Sequence, residues 1–226
     1  MKSKYSSHQQ DAYVLELMKD REGFFVDVGA GNGINGSNTL ILEENGWSGI
    51  CIEPSPILYS SLKHESGRKC MIAQSVLFSD CREMQFYYDK NDNTNLTKLT
   101  STGGGFSYNH ASYGGSGLVE THHINPKKIT EQFFVKTITL ENLLDKAGAP
   151  KNIELIDIDV EGAEYDILKV FDFEKYNVKI ICVECGDENE EKTNRLLEYK
   201  NFKLVKKLGL DGIYVQEKFD ERRSSS

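Results

Sequence analysis

The feature that most constrains the fold of this chain is a repeated alternation of short apolar runs with helical segments. The apolar runs have the length of buried strands in a parallel sheet, and they lie at 23–28, 48–53, 69–78, 153–159 and 179–184. Segments with helical patterns lie mostly between them, at 37–45, 55–65, 139–147, 163–170 and 189–199. Strand–helix alternation of this kind predicts an α/β fold with right-handed crossover connections.

The last two strand-like runs are related differently. They lie at 202–207 and 212–216, and only the four residues 208–211 separate them. A parallel connection needs about a dozen residues, so these two strands are predicted to form an antiparallel hairpin. We therefore expect a doubly wound, Rossmann-like sheet of seven mostly parallel strands that ends in an antiparallel hairpin, as in the class I methyltransferase fold.

The length and the charge of the chain limit its organisation and its partners. With 226 residues, of which 38% are apolar and 27% charged, the chain suits a single globular domain. Its 35 acidic and 27 basic residues give a formal net charge of −8, which argues against nucleic acid as the main partner. No apolar run approaches the roughly 20 residues of a membrane span, and the first ten residues lack the apolar stretch of a secretory signal. We expect a cytoplasmic protein with no stable membrane insertion, and the oligomeric state stays open.

The composition changes sharply between residues 91 and 125. This stretch is rich in glycine and asparagine and has neither the helical nor the strand period. An irregular segment of this length inside a compact domain is typically a functional lid or a disordered insertion, and we predict a lid over a bound substrate. Imidazoles can take a proton near neutral pH, so His122 and His123 in this segment are candidate catalytic residues. The last residues, 218–226, are predicted to form a flexible tail.

A glycine-rich turn follows the first predicted strand. It contains Gly29, Gly31 and Gly33, and glycines at such a turn permit positive φ angles and a close approach of a ligand to the backbone. The turn has the spacing of a dinucleotide fingerprint, but Asp27 lies where dinucleotide sites normally carry an apolar residue. Glu53, at the end of the second strand, is placed to accept hydrogen bonds from two ribose hydroxyls. The pattern predicts an adenosine-containing cofactor, with a dinucleotide or a simple capped turn as alternatives.

Acidic residues alternate at the end of the fourth predicted strand. Asp157, Asp159 and Glu161 point to one face while the strand lasts. We predict that Asp159 and Glu161 are catalytic, because carboxylates at a strand end can accept a proton from a substrate hydroxyl or hold its neighbours. A strand-terminating turn is the alternative. We predict no metal; if one is present, Asp159 and Glu184 would bind a divalent ion such as magnesium.

Five segments of the chain together carry a family resemblance. They lie at 23–33, 37–39, 46–56, 135–144 and 156–164, and the first reads Gly-Phe-Phe-Val-Asp-Val-Gly-Ala-Gly-Asn-Gly. In this order they resemble the FkbM family of S-adenosylmethionine-dependent methyltransferases. One departure is Asp157, since many members carry lysine at that position. Inferences that depend on that positive charge therefore do not apply to this chain.

The resemblance implies S-adenosylmethionine as the cofactor and methyl transfer to a hydroxyl of a sugar, a glycan or a glycosylated small molecule. The predicted cofactor-binding residues are Asp27, Gly29, Gly31, Asn32, Gly33, Asn38, Glu53, Pro54, Ser79 and Asp80. Among these, Ser79 and Asp80 match the place where such enzymes hold the adenine amino group. Two alternatives stay open: a non-catalytic scaffold or regulatory module that binds the cofactor, and an NAD-binding oxidoreductase.

Overall fold

The structure is a computed structural model that describes residues 3–19, 21–88, 117–118, 131–184 and 189–219, with the backbone alone at 117–118. Most of the predicted insertion at 91–125, including His122 and His123, lies outside the described residues. The predicted tail lies outside them from residue 220 onwards.

The described chain contains ten strands and six helices. The strands are β1 (Phe24–Val28), β2 (Ser48–Ile52), β3 (Met71–Ala73), β4 (Glu83–Tyr88), β5 (Gly117–Leu118), β6 (Glu131–Lys136), β7 (Asn152–Ile158), β8 (Asn177–Glu184), β9 (Phe202–Leu208) and β10 (Asp211–Gln216). The helices are α1 (Gln10–Met18), α2 (Leu40–Glu44), α3 (Pro56–His64), α4 (Leu140–Ala147), α5 (Glu164–Leu168) and α6 (Glu190–Tyr199).

Seven of the strands form one sheet, in the order β3-β2-β1-β7-β8-β10-β9. The first five strands of this order run parallel to one another, and β10 pairs antiparallel with both β8 and β9. The predicted hairpin is therefore present at one edge of a mostly parallel sheet. These features confirm the predicted class I methyltransferase fold.

Two segments end earlier or begin later than the sequence pattern predicts. The strand expected at 69–78 is only the three residues of β3. The buried residues after it leave the sheet, and Leu77 bridges instead to Ile138. The helix expected from residue 37 begins at Leu40, because the Ser37 hydroxyl accepts the amides of Thr39 and Leu40, at 3.2 and 3.1 Å, in a preceding turn.

Two elements are absent from the sequence prediction. Helix α1 packs Val14, Leu15 and Met18 into the core on one face of the sheet. Strands β4, β5 and β6 form a separate antiparallel sheet, in the order β5-β4-β6. In β4 the buried residues Met84 and Phe86 follow the period of two expected for a strand with one buried face, but Tyr87 is buried as well.

The core lies on both faces of the large sheet, and its polar interruptions lie at one edge. One apolar cluster includes Val26 and Val28, and the other includes Phe25. The face that carries Phe25 also carries Asp27 and Asp157, which are register neighbours on β1 and β7. Both acids are buried, and both lie near the carboxyl ends of their strands. Within the described residues, none of the helices combines the length and the apolar composition needed to cross a membrane.

Candidate functional site

A cleft opens at the carboxyl edge of the parallel strands, where ligands bind in open α/β sheets. Six acidic residues line it: Asp27, Glu53, Asp157, Asp159, Glu161 and Glu184. Among the described residues, no lysine, arginine or histidine lines the same cleft. The cleft therefore offers a negative environment, which favours a cationic ligand over a phosphate.

In the glycine turn after β1, Gly29 and Gly31 line the cleft, whereas Gly33 does not. Gly29, Gly31 and Gly33 have φ angles of 88°, 57° and 76°, which favour glycine. A Cβ on Gly29 would lie 1.7 Å from the backbone oxygen of Asp159, so a side chain cannot be placed there. At Gly31, by contrast, no atom lies within 4 Å of the corresponding position, and this residue faces the cleft.

The turn is also tied to Glu53, which follows β2. Glu53 is only 3% exposed, and its two carboxylate oxygens accept the backbone amides of Gly31 and Ser55 at 2.9 and 2.8 Å. Each carboxylate oxygen can accept more than one hydrogen bond, so this contact leaves capacity for a ligand. The carboxylate is thus fixed at the cleft wall beside the glycine turn.

Arg68 is a buried residue of this site that the sequence analysis missed. Its guanidinium donates to the Gly33 carbonyl at 3.0 Å and to the Ser37 and Thr39 hydroxyls at 3.2 and 2.8 Å. It also forms an ion pair of 2.9 Å with Glu43. A single arginine in the loop before β3 gives no sequence signal of this role, because its partners are 25 to 35 residues away.

Asp27 is connected to the same turn by a hydrogen bond with Thr39. Its carboxylate accepts a hydrogen bond from the Thr39 hydroxyl, and the Cys51 thiol lies 3.9 Å away. Burial raises the pKa of Asp27, and the charge of Arg68 opposes that rise. Asp27 is therefore linked to the glycine turn through Thr39 and Arg68, and it also lines the cleft.

A second group of acids gathers where β7 and β8 end. Carboxyl oxygens of Asp159, Glu164 and Glu184 lie within 4.8 Å of one another, and these oxygens could hold a divalent cation. Glu164 also accepts the amides of Val160 and Gly162, at 3.0 and 3.1 Å, which closes the turn after β7. The Asp159 side chain is exposed to the cleft.

Crowding changes the acidity of this group. Although the Asp159 side chain is exposed to the cleft, desolvation by the surrounding cleft walls and then the charges of Glu184 and Glu161 raise its pKa well above the usual value. Burial, with the charge of Glu161 also contributing, raises the pKa of Glu184 to about 7. Glu161 itself has a left-handed backbone, with φ 59°, at the turn beside these carboxyls. The folded protein therefore favours the protonated forms of Asp159 and Glu184.

Some of the other predicted cofactor-binding residues line the cleft, and others do not. Asn38 and Pro54 line it, and Asn38 donates to Asp157. Asn32 does not line the cleft, since its side chain accepts the amides of residues 34 and 35 within the turn. Ser79 and Asp80 also do not line the cleft, and Asp80 forms a surface ion pair with Arg82. Residues 75–77 line the cleft instead.

The comparison with protein families decides which proteins this chain is related to. Residues 27–219 match the model described as "Methyltransferase FkbM domain". The chain belongs to the FkbM methyltransferase family. This membership confirms the predicted resemblance, and a search of curated proteins found no match. The matched region includes the glycine turn, Glu53 and both acidic strand ends.

We predict that Arg68→Met strongly destabilises the FkbM domain. The change breaks the buried ion pair with Glu43 and removes the positive charge that acts on Asp27, and breaking a buried pair typically costs about 3–5 kcal/mol in the free energy of unfolding. Denaturant unfolding measures this. The control is Arg82→Met, which removes an exposed partner of Asp80 and should cost less than about 1 kcal/mol. Equal, small losses in both variants would show that the Arg68 network does not support the turn.

We also predict that Glu184→Gln stabilises the FkbM domain at pH 8 by about 1–3 kcal/mol. The folded protein raises the pKa of Glu184 to about 7 from a usual 4.5, so it favours the protonated form. Folding stability is then lost as the pH rises through about 7, and the variant avoids this loss. Melting temperatures of both proteins at pH 5 and pH 8 test this, with the exposed Glu198→Gln as control. A stabilisation that is equal at both pH values would contradict the proposed repulsion.

Proposed function

We propose that this FkbM methyltransferase uses S-adenosylmethionine to methylate a hydroxyl group of a sugar, a glycan or a glycosylated small molecule. The observation that carries the proposal is the continuous acidic cleft. It joins the glycine turn and Glu53 at one end to Asp159 and Glu161 at the other.

The charge of the cleft suits this cofactor. S-adenosylmethionine carries a sulfonium and an ammonium group, and the cleft has six acidic residues with no basic residue among its described lining. A dinucleotide would bring a negatively charged diphosphate to the same carboxylates, with no cation among the described lining residues to compensate it. The charge therefore argues against the alternative of an NAD-binding oxidoreductase.

The end of the cleft near β2 would hold the adenosine part. Glu53 would accept hydrogen bonds from the two ribose hydroxyls, with its position held by the amides of Gly31 and Ser55. Leu58 and Val76 line the same cleft and would give the adenine ring apolar contacts. When bound, the cofactor supplies an electrophilic methyl group on its sulfonium.

The end of the cleft near β7 would hold the acceptor. The Asp159 carboxylate would accept the proton of the acceptor hydroxyl, and its raised pKa makes it a stronger base once it is ionised. Glu161 would accept a hydrogen bond from a neighbouring hydroxyl. Phe86, from the small antiparallel sheet, adds an apolar wall against which a sugar face can pack. The work of the protein here is alignment and proton removal.

We predict that Glu53→Gln weakens the binding of S-adenosylhomocysteine, the demethylated form of the cofactor, about 10- to 100-fold, which corresponds to the loss of charged hydrogen bonds. Isothermal calorimetry measures the dissociation constants, and thermal unfolding checks that the variant is folded. Glu65→Gln, at an exposed site after α3, is the control and should bind as the wild type does. Unchanged affinity in folded Glu53→Gln would mean that the ribose lies elsewhere.

We predict that Asp159→Asn lowers turnover about 10²- to 10⁴-fold if the carboxylate is the base. Because the change keeps the shape of the side chain, affinity for S-adenosylhomocysteine should change less than about threefold. Transfer of a labelled methyl group to a panel of glycans and glycosylated natural products measures the activity.

The same assay separates the alternatives. Tight binding of S-adenosylhomocysteine without transfer to any acceptor would favour a non-catalytic scaffold. Activity that EDTA abolishes and magnesium restores would favour a metal at Asp159 and Glu184. Near-normal turnover in Asp159→Asn would remove this residue from both mechanisms.

A further inference from the structure

Asp157 is a buried acid for which the described structure provides no cation. It lies in β7 between its register neighbours Asp27 on β1 and Cys182 on β8, and it is 5% exposed. Asp27 has the charge of Arg68 nearby, whereas no lysine, arginine or histidine of the described chain forms an ion pair with Asp157. A buried carboxyl is costly when ionised unless a cation is paired with it, so a cationic ligand beside Asp157 would stabilise its ionised form.

The side chain of Asn38 meets Asp157 at the wall of the cleft. The Asn38 Nδ2 atom lies 3.2 and 3.3 Å from the two carboxylate oxygens of Asp157. In this contact the amide nitrogen of Asn38 is the donor and the Asp157 carboxyl is the acceptor. The Asn38 Oδ1 atom is consequently turned away from Asp157. It is buried and has no hydrogen-bond partner among the described residues.

The free Asn38 oxygen and the Asp157 carboxyl, which has no ion-pair partner among the described residues, thus lie together at the cleft. The carboxyls of Asp27 and Asp211 add negative potential at Asp157. A compact group with several N–H donors and one positive charge would satisfy the Asn38 oxygen and the Asp157 carboxylate at once.

We infer that Asn38 and Asp157 form a binding site for an alkylammonium group. The inference rests on the proposed function, in which the alkylammonium group is the α-amino group at the methionine end of the cofactor. Glu53 then binds the adenosine end, and the two positions account for both ends of one ligand in one cleft. Asp157 was not among the site residues predicted from the sequence.

The experiment compares two ligands by isothermal calorimetry. S-adenosylhomocysteine carries the amino-acid end, and 5′-methylthioadenosine lacks it. We expect Asp157→Asn to weaken S-adenosylhomocysteine at least about 10-fold and to leave 5′-methylthioadenosine within about twofold. Loss of an anion cannot weaken contacts to the carboxylate of the ligand, so a selective loss reports on its ammonium group.

The matched control is Glu154→Gln on the same strand. Glu154 is a buried acid that pairs with Lys179 at 2.7 Å and lies away from the cleft, so both affinities should stay unchanged. A second variant, Asn38→Leu, removes the free oxygen and should cause the same selective loss. This variant provides the test if Asp157→Asn does not fold.

Two results would overturn the inference while leaving the proposed function intact. One is wild-type binding of S-adenosylhomocysteine that Asp157→Asn or Asn38→Leu does not alter. The other is an equal weakening of both ligands, which would indicate a purely structural role. Failure of the wild type to bind S-adenosylhomocysteine would instead contradict the proposed function, and the inference with it.

Discussion

The cleft depends on the hydrogen bonds and the positive charge of the buried Arg68 guanidinium. An acid at Asp27 inside the sheet needs a nearby cation, and Arg68 provides that charge. The same group uses its N–H donors to hold Gly33 and the hydroxyls of Ser37 and Thr39. Arg68 therefore both compensates the buried negative charge and holds the glycine turn in its shape.

Much of the fold could be predicted from the sequence because its signals are local. The apolar runs gave the strands of the large sheet, and the short spacing before β10 gave the hairpin. The small sheet was missed because its pairing joins residues that are far apart in the chain, as in the contact of Phe86 with Phe133. The strand predicted at 69–78 was too long because the prediction used apolar composition alone. The residues after β3 are buried but do not belong to the sheet.

The candidate site was predictable where it follows from strand ends. Glu53 and the glycine turn could be placed together because the carboxyl ends of parallel strands meet at one edge. Beyond the short β3, residues 75–77 line the cleft and Ser79 does not, so the adenine contact of Ser79 stays a prediction. The contact of Asn38 with Asp157 has no sequence signal, because the direction of a side chain in an irregular turn follows no period.

The ends of β1 and β7 are joined through their main chains. The amide of Asp159 donates to the Val28 carbonyl at 2.9 Å, and Gly29 leaves no room for a side chain against the Asp159 oxygen. The spacing between the glycine turn and Asp159 is therefore set by backbone atoms. Side chains around the rim of the cleft can diverge and change which molecules enter, while that spacing stays the same. An insertion in either strand end would break it, so diversity in this scaffold is expected at the rim and in the loops.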